Sequence, residues 1–93
     1  MKETLLRCPA CGYEYMHHEV LEVFERPKED AEHGVHVTIT GCTVTVDNKM
    51  TGNPSLRRDG LRIRFWCEGC DEKSTLTLVQ HKGQSFLQLA IER

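Results

Sequence analysis

The stretches Cys8-Pro9-Ala10-Cys11-Gly12 and Cys67-Glu68-Gly69-Cys70 decide the fold of this chain. Each is a Cys-x-x-Cys pair, in which the two intervening residues allow a tight turn to place both sulfurs on one side of the backbone. Gly12 favours the left-handed conformation that such a turn needs, and Pro9 fixes a backbone dihedral within it. Together the pairs supply the four thiolates of a closed tetrahedral Zn²⁺ site. The spacing therefore predicts one structural zinc ion, held by Cys8, Cys11, Cys67 and Cys70.

The separation of the two pairs is unusual, since 55 residues lie between Cys11 and Cys67. Compact patterns have about 15–20 residues there, so the metal would close a long loop. Whatever is specific to this protein is expected in the insert, residues 16–60. A length of 93 residues predicts a single domain over residues 1–93. Its hydrophobic core is expected to be small, so that a bound metal ion would add needed stability. We therefore expect the metal-free chain to be partly or wholly unfolded.

Disulfide bonds are the alternative use of the cysteines. The count is five, so two disulfides would leave Cys42 over, and they would need an oxidising compartment. The N-terminus has no apolar signal region and no stretch is long enough to span a membrane, which predicts a cytoplasmic protein and favours metal. Cys42 is expected to be a small buried apolar residue. Four thiolates suit iron as well as zinc, so the identity of the metal stays open.

Alternating β-branched and apolar residues predict an all-β fold. Residues 35–46 carry the clearest strand pattern, with a change of phase at Gly41 that indicates a bulge or a junction of two strands. Residues 13–25 fit a helix or a strand, and the enrichment in Tyr, Val and Phe favours the strand. Residues 61–67, 74–80 and 85–91 are further predicted strands, and 28–34 and 47–60 are predicted loops. The face of Leu61, Ile63 and Phe65 is assigned to the core of a small antiparallel sheet that zinc pins at one end.

The two cysteine turns and the strands beside them resemble the zinc-ribbon superfamily. In that group, two cysteine knuckles grip Zn²⁺ and antiparallel strands extend from them. The resemblance covers the knuckles, residues 8–12 and 67–70, and their flanking strands, and the Cys-Pro-x-Cys-Gly form is similar to short bacterial and phage-encoded ribbon proteins. It does not cover residues 16–60. Many zinc ribbons bind nucleic acid or protein in transcription, replication or translation, so the resemblance implies a metal site and a fold more than a function.

Charge is distributed unevenly although the net charge is only −2. Residues 14–32 hold seven acidic residues, and the basic residues concentrate in 49–64. Arginine can grip phosphate bidentately and an exposed indole can stack on a base, so one cluster is a candidate binding site for nucleic acid or a partner. The members of this cluster are Arg57, Arg58, Arg62, Arg64 and Trp66. The alternative is that these arginines pair with the acidic segment 14–32 across the sheet, which would neutralise them.

Two functions follow from these patterns. The first is a non-enzymatic zinc module that binds nucleic acid or a protein of a nucleic-acid complex. The second is a protein-interaction adaptor or a homodimer, pairing through an exposed strand edge such as residues 35–46. An enzyme has little support, because a site with four cysteine ligands leaves no position for an activated water and no catalytic motif is recognisable. The five histidines, which include the neighbours His17 and His18, are interpreted as surface or structural residues.

Overall fold

The computed structural model describes residues 2–92 and contains one antiparallel sheet. The strand order is β3-β2-β1-β4-β5-β6, and no helix occurs within the described range. The predicted all-β antiparallel fold is therefore confirmed. The strands are β1 (Met16–Glu25), β2 (His33–Thr40), β3 (Thr43–Lys49), β4 (Gly60–Cys67), β5 (Lys73–His81) and β6 (Gln84–Glu92).

The phase change at Gly41 marks a hairpin. Gly41 has a φ of 60°, which glycine adopts without a steric penalty, and the chain turns there from β2 into β3. The turn pairs Val37 with Val46 and Ile39 with Val44, so all four share one face of the sheet. Of the two interpretations of this stretch, the junction of two strands is confirmed. It also corrects the predicted edge: within residues 35–46 only the β3 part lies at an edge of the sheet, because β2 lies between β1 and β3.

The two faces of the sheet differ in chemistry. One, here called the mixed face, carries threonines, acidic residues, Arg62, Arg64, Trp66 and Phe24. The other, here called the apolar face, is hydrophobic on every strand. The register pairs apolar residues through its centre, from Val46 and Val37 on β3 and β2 to Leu78 and Leu87 on β5 and β6, and polar residues occur only towards the strand ends. Its members are Leu21, Val23, Val35, Val37, Ile39, Val44, Val46, Leu61, Ile63, Phe65, Leu76, Leu78, Leu87, Leu89 and Ile91.

The buried core does not lie where the sequence predicts it. Leu61, Ile63 and Phe65 share a face as expected, but they are only half-buried, because the described part of the chain forms a single sheet with no second layer on its apolar side. The hydrophobic side chains that are buried within residues 2–92 are instead Cys8, Phe24, Met50 and Cys67. Phe24 is completely buried on the mixed face, where its ring stacks on His36 at a centroid distance of 4.3 Å.

The segment between β3 and β4, residues 50–59, covers this small core. It packs on the mixed face, where Arg62 Nη1 donates a hydrogen bond of 2.8 Å to the Gly52 carbonyl. Ser55 is fully buried, and its hydroxyl donates to the Asp59 carbonyl at 2.6 Å and accepts from the Gln80 N–H at 2.9 Å. The guanidinium of Arg26 donates to several backbone carbonyls around the segment. They belong to Ala31, Ser55, Leu56 and Arg58. The predicted loop is thus present, and hydrogen bonds hold it in place.

None of the described residues forms a helix with the length and the apolar character needed to cross a membrane.

Candidate metal centre

The first knuckle is a tight turn closed by its own backbone. The Gly12 N–H donates to the Cys8 carbonyl at 2.8 Å, and the Cys8 N–H donates to the Tyr13 carbonyl at 2.9 Å. Gly12 has a φ of 79°, the left-handed conformation for which the sequence places a glycine there. The turn therefore holds Cys8 and Cys11 on the same side without help from the sheet.

The second knuckle follows directly from β4. The Gly69 N–H points at the Cys67 sulfur at 3.3 Å, which is the amide-to-thiolate contact that a metal-binding turn provides. The Glu68 N–H donates to the Tyr15 carbonyl at 3.1 Å and so ties this knuckle to the chain leaving the first one. Local hydrogen bonds therefore position both cysteine pairs before any metal is considered.

Pairing of β1 with β4 brings the two knuckles together. In this register Met16 lies opposite Cys67, so the residues just before β1 and just after β4 meet at one end of the sheet. The sulfurs of Cys8 and Cys70 are 3.8 Å apart, and those of Cys11 and Cys67 are 3.6 Å apart. All four ligand atoms lie within 4.8 Å of one another.

These distances fit a tetrahedral metal ion. Zn–S bonds of about 2.3 Å in a regular tetrahedron place the sulfurs about 3.8 Å apart. All five cysteines are free thiols, so the disulfide alternative is not realised in the structure. The four cysteines lie close together as predicted, and the arrangement is consistent with a zinc-binding site. The donor set alone does not distinguish zinc from iron.

The electrostatics of the cluster favour a cation. Backbone N–H groups of Cys11 and Ala10 lower the pKa of Cys8 to about 7. The Glu72 N–H acts in the same direction on Cys70, but desolvation and the neighbouring sulfurs outweigh it and raise the pKa of Cys70 to about 12. One thiolate is thus stabilised while a further negative charge beside it is opposed. A divalent cation among the sulfurs would remove that repulsion.

Cys42 is not part of this cluster, and its predicted burial is wrong. It lies at the exposed tip of the β2–β3 hairpin, next to Gly41. The apolar character of residues 35–46 suggested a buried strand, but the chain reverses at this point and the turn faces solvent. Cys42 can therefore serve as a control cysteine that lies outside the cluster.

The arginines of the predicted binding cluster are paired with acidic residues. The Arg57 guanidinium donates two hydrogen bonds of 2.8 Å to the Asp30 carboxylate, from Nε to one oxygen and from Nη2 to the other. This pairing lowers the pKa of Asp30. Arg58 approaches Glu29 at 3.3 Å. Both side chains therefore pair with residues 14–32, but they do so from one loop to another and not across the sheet as that interpretation expected.

The other half of the cluster lies on β4. Arg62 and Arg64 project from the mixed face beside Trp66, as the alternation predicts. Arg62 lies 3.5 Å from Glu22, and Arg64 lies 2.7 Å from Glu92 on β6 and 3.7 Å from Glu19. The Trp66 ring stacks on His17 at 4.5 Å. The structure therefore splits the predicted cluster into a loop pair, Arg57 and Arg58, and a strand group, Arg62, Arg64 and Trp66, each with its own acidic partners.

A charged network on the mixed face was not predicted. Both ring nitrogens of His36 on β2 have hydrogen-bond partners. Nε2 lies 2.8 Å from the Glu22 carboxylate on β1, and Nδ1 lies 3.0 Å from the Asp47 carboxylate on β3. The Lys49 N–H and the His36 ring together hold the pKa of Asp47 below its usual range. The three residues come from three strands with no common motif, so the sequence carries no signal for them. Their role is to join β1, β2 and β3 around the buried Phe24.

A close contact between the knuckles gives a testable prediction. A Cβ atom on Gly69 would lie 2.8 Å from the Tyr13 ring, so Gly69→Ala must displace the ring or the knuckle. Overpacking of this kind costs about 1–3 kcal/mol, and we expect zinc affinity to fall about 5- to 100-fold in a competition titration with a chromophoric chelator. Gly83→Ala is the control for general destabilisation: its φ of 79° disfavours an alanine, but its Cβ meets no atom within 4 Å and lies in the distant β5–β6 turn, so no loss specific to the knuckles is expected.

The double variant Tyr13→Ala, Gly69→Ala tests the cause. Removal of the ring should recover part of the affinity lost by Gly69→Ala, since the clash is then absent. Zinc binding by Gly69→Ala that equals the wild type would contradict the close contact.

Comparison of the chain with protein-family models, with curated proteins and with solved structures found no significant match in any of the three. The likeness to zinc ribbons therefore rests on the knuckles and on the strands that flank them.

Proposed function

We propose that this protein is a non-enzymatic interaction module whose sheet is held by one structural zinc ion. The observation that carries the proposal is the set of four sulfurs within 4.8 Å, donated by two knuckles that the β1–β4 pairing holds together. Four protein ligands fill a tetrahedral coordination sphere and leave no open position, which is the arrangement of structural sites and not of catalytic ones.

Substitution by Co²⁺ tests this proposal. We expect one ion per chain, the absorption spectrum of a tetrahedral four-thiolate complex, and no spectral change when imidazole is added. A spectrum that imidazole alters would mean that the metal has an open or weakly held position. Cys42→Ser should leave the spectrum unchanged, whereas Cys70→Ser should alter it, and the same result for both variants would contradict the ligand assignment.

Protein is the partner class that the surface favours. The arginines carry acidic partners within the chain, so their attraction for phosphate is reduced. Large hydrophobic side chains are instead exposed on the sheet, with Val46 67% and Leu87 69% accessible. Exposed apolar area of this kind is typical of surfaces that bind other proteins.

Nucleic-acid binding is the second candidate, and the strand group favours it. Trp66 remains 39% exposed beside Arg64, and exposed ion pairs contribute only about 0–1 kcal/mol each, so a phosphate could replace the acidic partner of the arginine. Stacking of a base on the indole would add to such a contact.

The single tryptophan provides the test of this second candidate. If the strand group binds nucleic acid, a single-stranded oligonucleotide will quench the fluorescence of Trp66, and the binding constant will fall steeply with salt as counterions are released. Arg64→Gln should weaken that binding, and Arg7→Gln, which changes an exposed arginine near the first knuckle, should not. Fluorescence that does not change at low salt would eliminate this candidate.

A further inference from the structure

Within residues 2–92, no layer covers the apolar face at any point along its width. This face extends over all six strands, from Val44 and Val46 on the edge strand β3 to Leu87 on the edge strand β6, and these three side chains are 59–69% exposed. The segment of residues 50–59 lies on the opposite side of the sheet, against Phe24 and Arg62. A sheet with one hydrophobic face is stable when a second layer covers that face.

The dimensions of the chain lead to the same conclusion. The radius of gyration is 14.2 Å, whereas a compact domain of this length has one of about 12 Å. The accessible surface is 6758 Å², roughly 1,200 Å² more than the ~5,500 Å² typical of a compact monomer of 10.7 kDa. That excess is larger than the ~800 Å² that each partner buries in a stable protein–protein interface.

We infer that the apolar face is the interface of a homodimer, in which two copies of this chain pack their sheets face to face. This rests on the proposed function of an interaction module and names its partner on this face. A second copy supplies a hydrophobic face of the same size, and the area available meets the requirement of a stable dimer. The strand interiors of this face carry no charged residue, and its one acidic member among the described residues, Glu25, lies at the end of β1, so the centres of two such faces meet without apposing like charges.

The expected assembly is a two-layer β-sandwich with two-fold symmetry. The sheets would pack about 10 Å apart with their strands inclined by about 30°, and the same residues would contribute from both copies. Both mixed faces would then point outward, which leaves the ion pairs of Arg62 and Arg64 in solvent. This mode differs from pairing through a strand edge, because it buries side chains and leaves the backbone of β3 free.

Sedimentation of the zinc-loaded protein over a range of concentrations tests the inference. The wild type should have twice the mass of the 10.7 kDa chain. Leu87→Glu and Val46→Glu place a charge on the apolar face at positions that are exposed in the single chain, so each should fold and raise the dimer dissociation constant at least about 100-fold. The matched controls are Phe86→Glu and Thr45→Glu. These residues directly precede Leu87 and Val46 on the same strands, and their side chains point to the mixed face.

Each outcome is decisive. Dissociation by Leu87→Glu and Val46→Glu, with the controls still dimeric, supports the face-to-face dimer. A wild-type monomer, a complex with a different chain on this face, or a dimer that the two face variants leave intact overturns it. The zinc content of every sample is measured in parallel, so a monomer that still holds zinc contradicts only the dimer, whereas loss of bound metal from the wild type contradicts the proposed function.

Discussion

Removal of zinc with a chelator is expected to abolish the cooperative thermal unfolding transition and the β-sheet circular dichroism of this protein. The hydrophobic core is small, and the buried Cys8 and Cys67 belong to the metal cluster itself. Structural zinc contributes about 10–16 kcal/mol in peptide systems, which equals or exceeds the ~5–15 kcal/mol that separates the folded from the unfolded state of a typical domain. Without metal, nothing replaces that contribution.

The chain contains its own control for this experiment. Cys67→Ser should resemble the chelated protein and should not recover when zinc is added back, because a neutral hydroxyl replaces a buried thiolate ligand. Cys42→Ser should unfold like the wild type, since Cys42 is exposed in the hairpin turn and is not one of the four clustered cysteines. An unchanged spectrum after elemental analysis has verified complete removal of the metal would contradict the structural role of the site.

The second large effect is expected from Phe24→Ala. Phe24 has no accessible surface, and it is held between the His36 ring and the segment 50–59. Truncation of a buried phenylalanine costs about 3–5 kcal/mol, from the lost burial and from the cavity that remains. We expect a loss of this size in urea unfolding of the zinc-loaded protein at a fixed chain concentration, with Phe24→Leu showing a smaller loss.

Phe86→Ala is the matched control for this substitution. Phe86 lies on the mixed face, as Phe24 does, but it is on the edge strand β6 and 51% exposed. Its truncation should change the free energy of unfolding by less than about 1 kcal/mol, because its ring has little burial to lose. Equal losses for the two variants would mean that the small core around Phe24 does not stabilise the sheet.

Local patterns in the sequence predicted the parts of the molecule that depend on local geometry. A two-residue spacing determines whether two sulfurs lie on one side of a turn, so the four cysteines could be selected without a structure. Alternation likewise predicted that Arg62, Arg64 and Trp66 share one face of β4. The phase change at Gly41 indicated a bulge or a junction of two strands, and the strand pairing decided for the junction.

Other features depend on which strands become neighbours. The meeting of the knuckles requires β1 to pair with β4, which follows it only after β2 and β3. The same pairing brings Glu22 to Arg62, and the pairing of β1 with β2 and of β2 with β3 joins His36 to Glu22 and Asp47. No local pattern specifies such partners, because they are far apart in the chain.

The sequence by itself determined the four candidate metal ligands, the strand class and the hydrophobic alternation, since each of these arises within a few residues of backbone. Only the tertiary structure decided which hydrophobic residues are buried. Alternation shows that Val23 and Phe24 belong to opposite faces of β1, but whether a face is covered depends on what packs over it. Here the segment 50–59 covers Phe24, and nothing within residues 2–92 forms a second layer over the apolar face. A sheet face is buried only when another element packs on it, and the sequence of one strand does not specify that element.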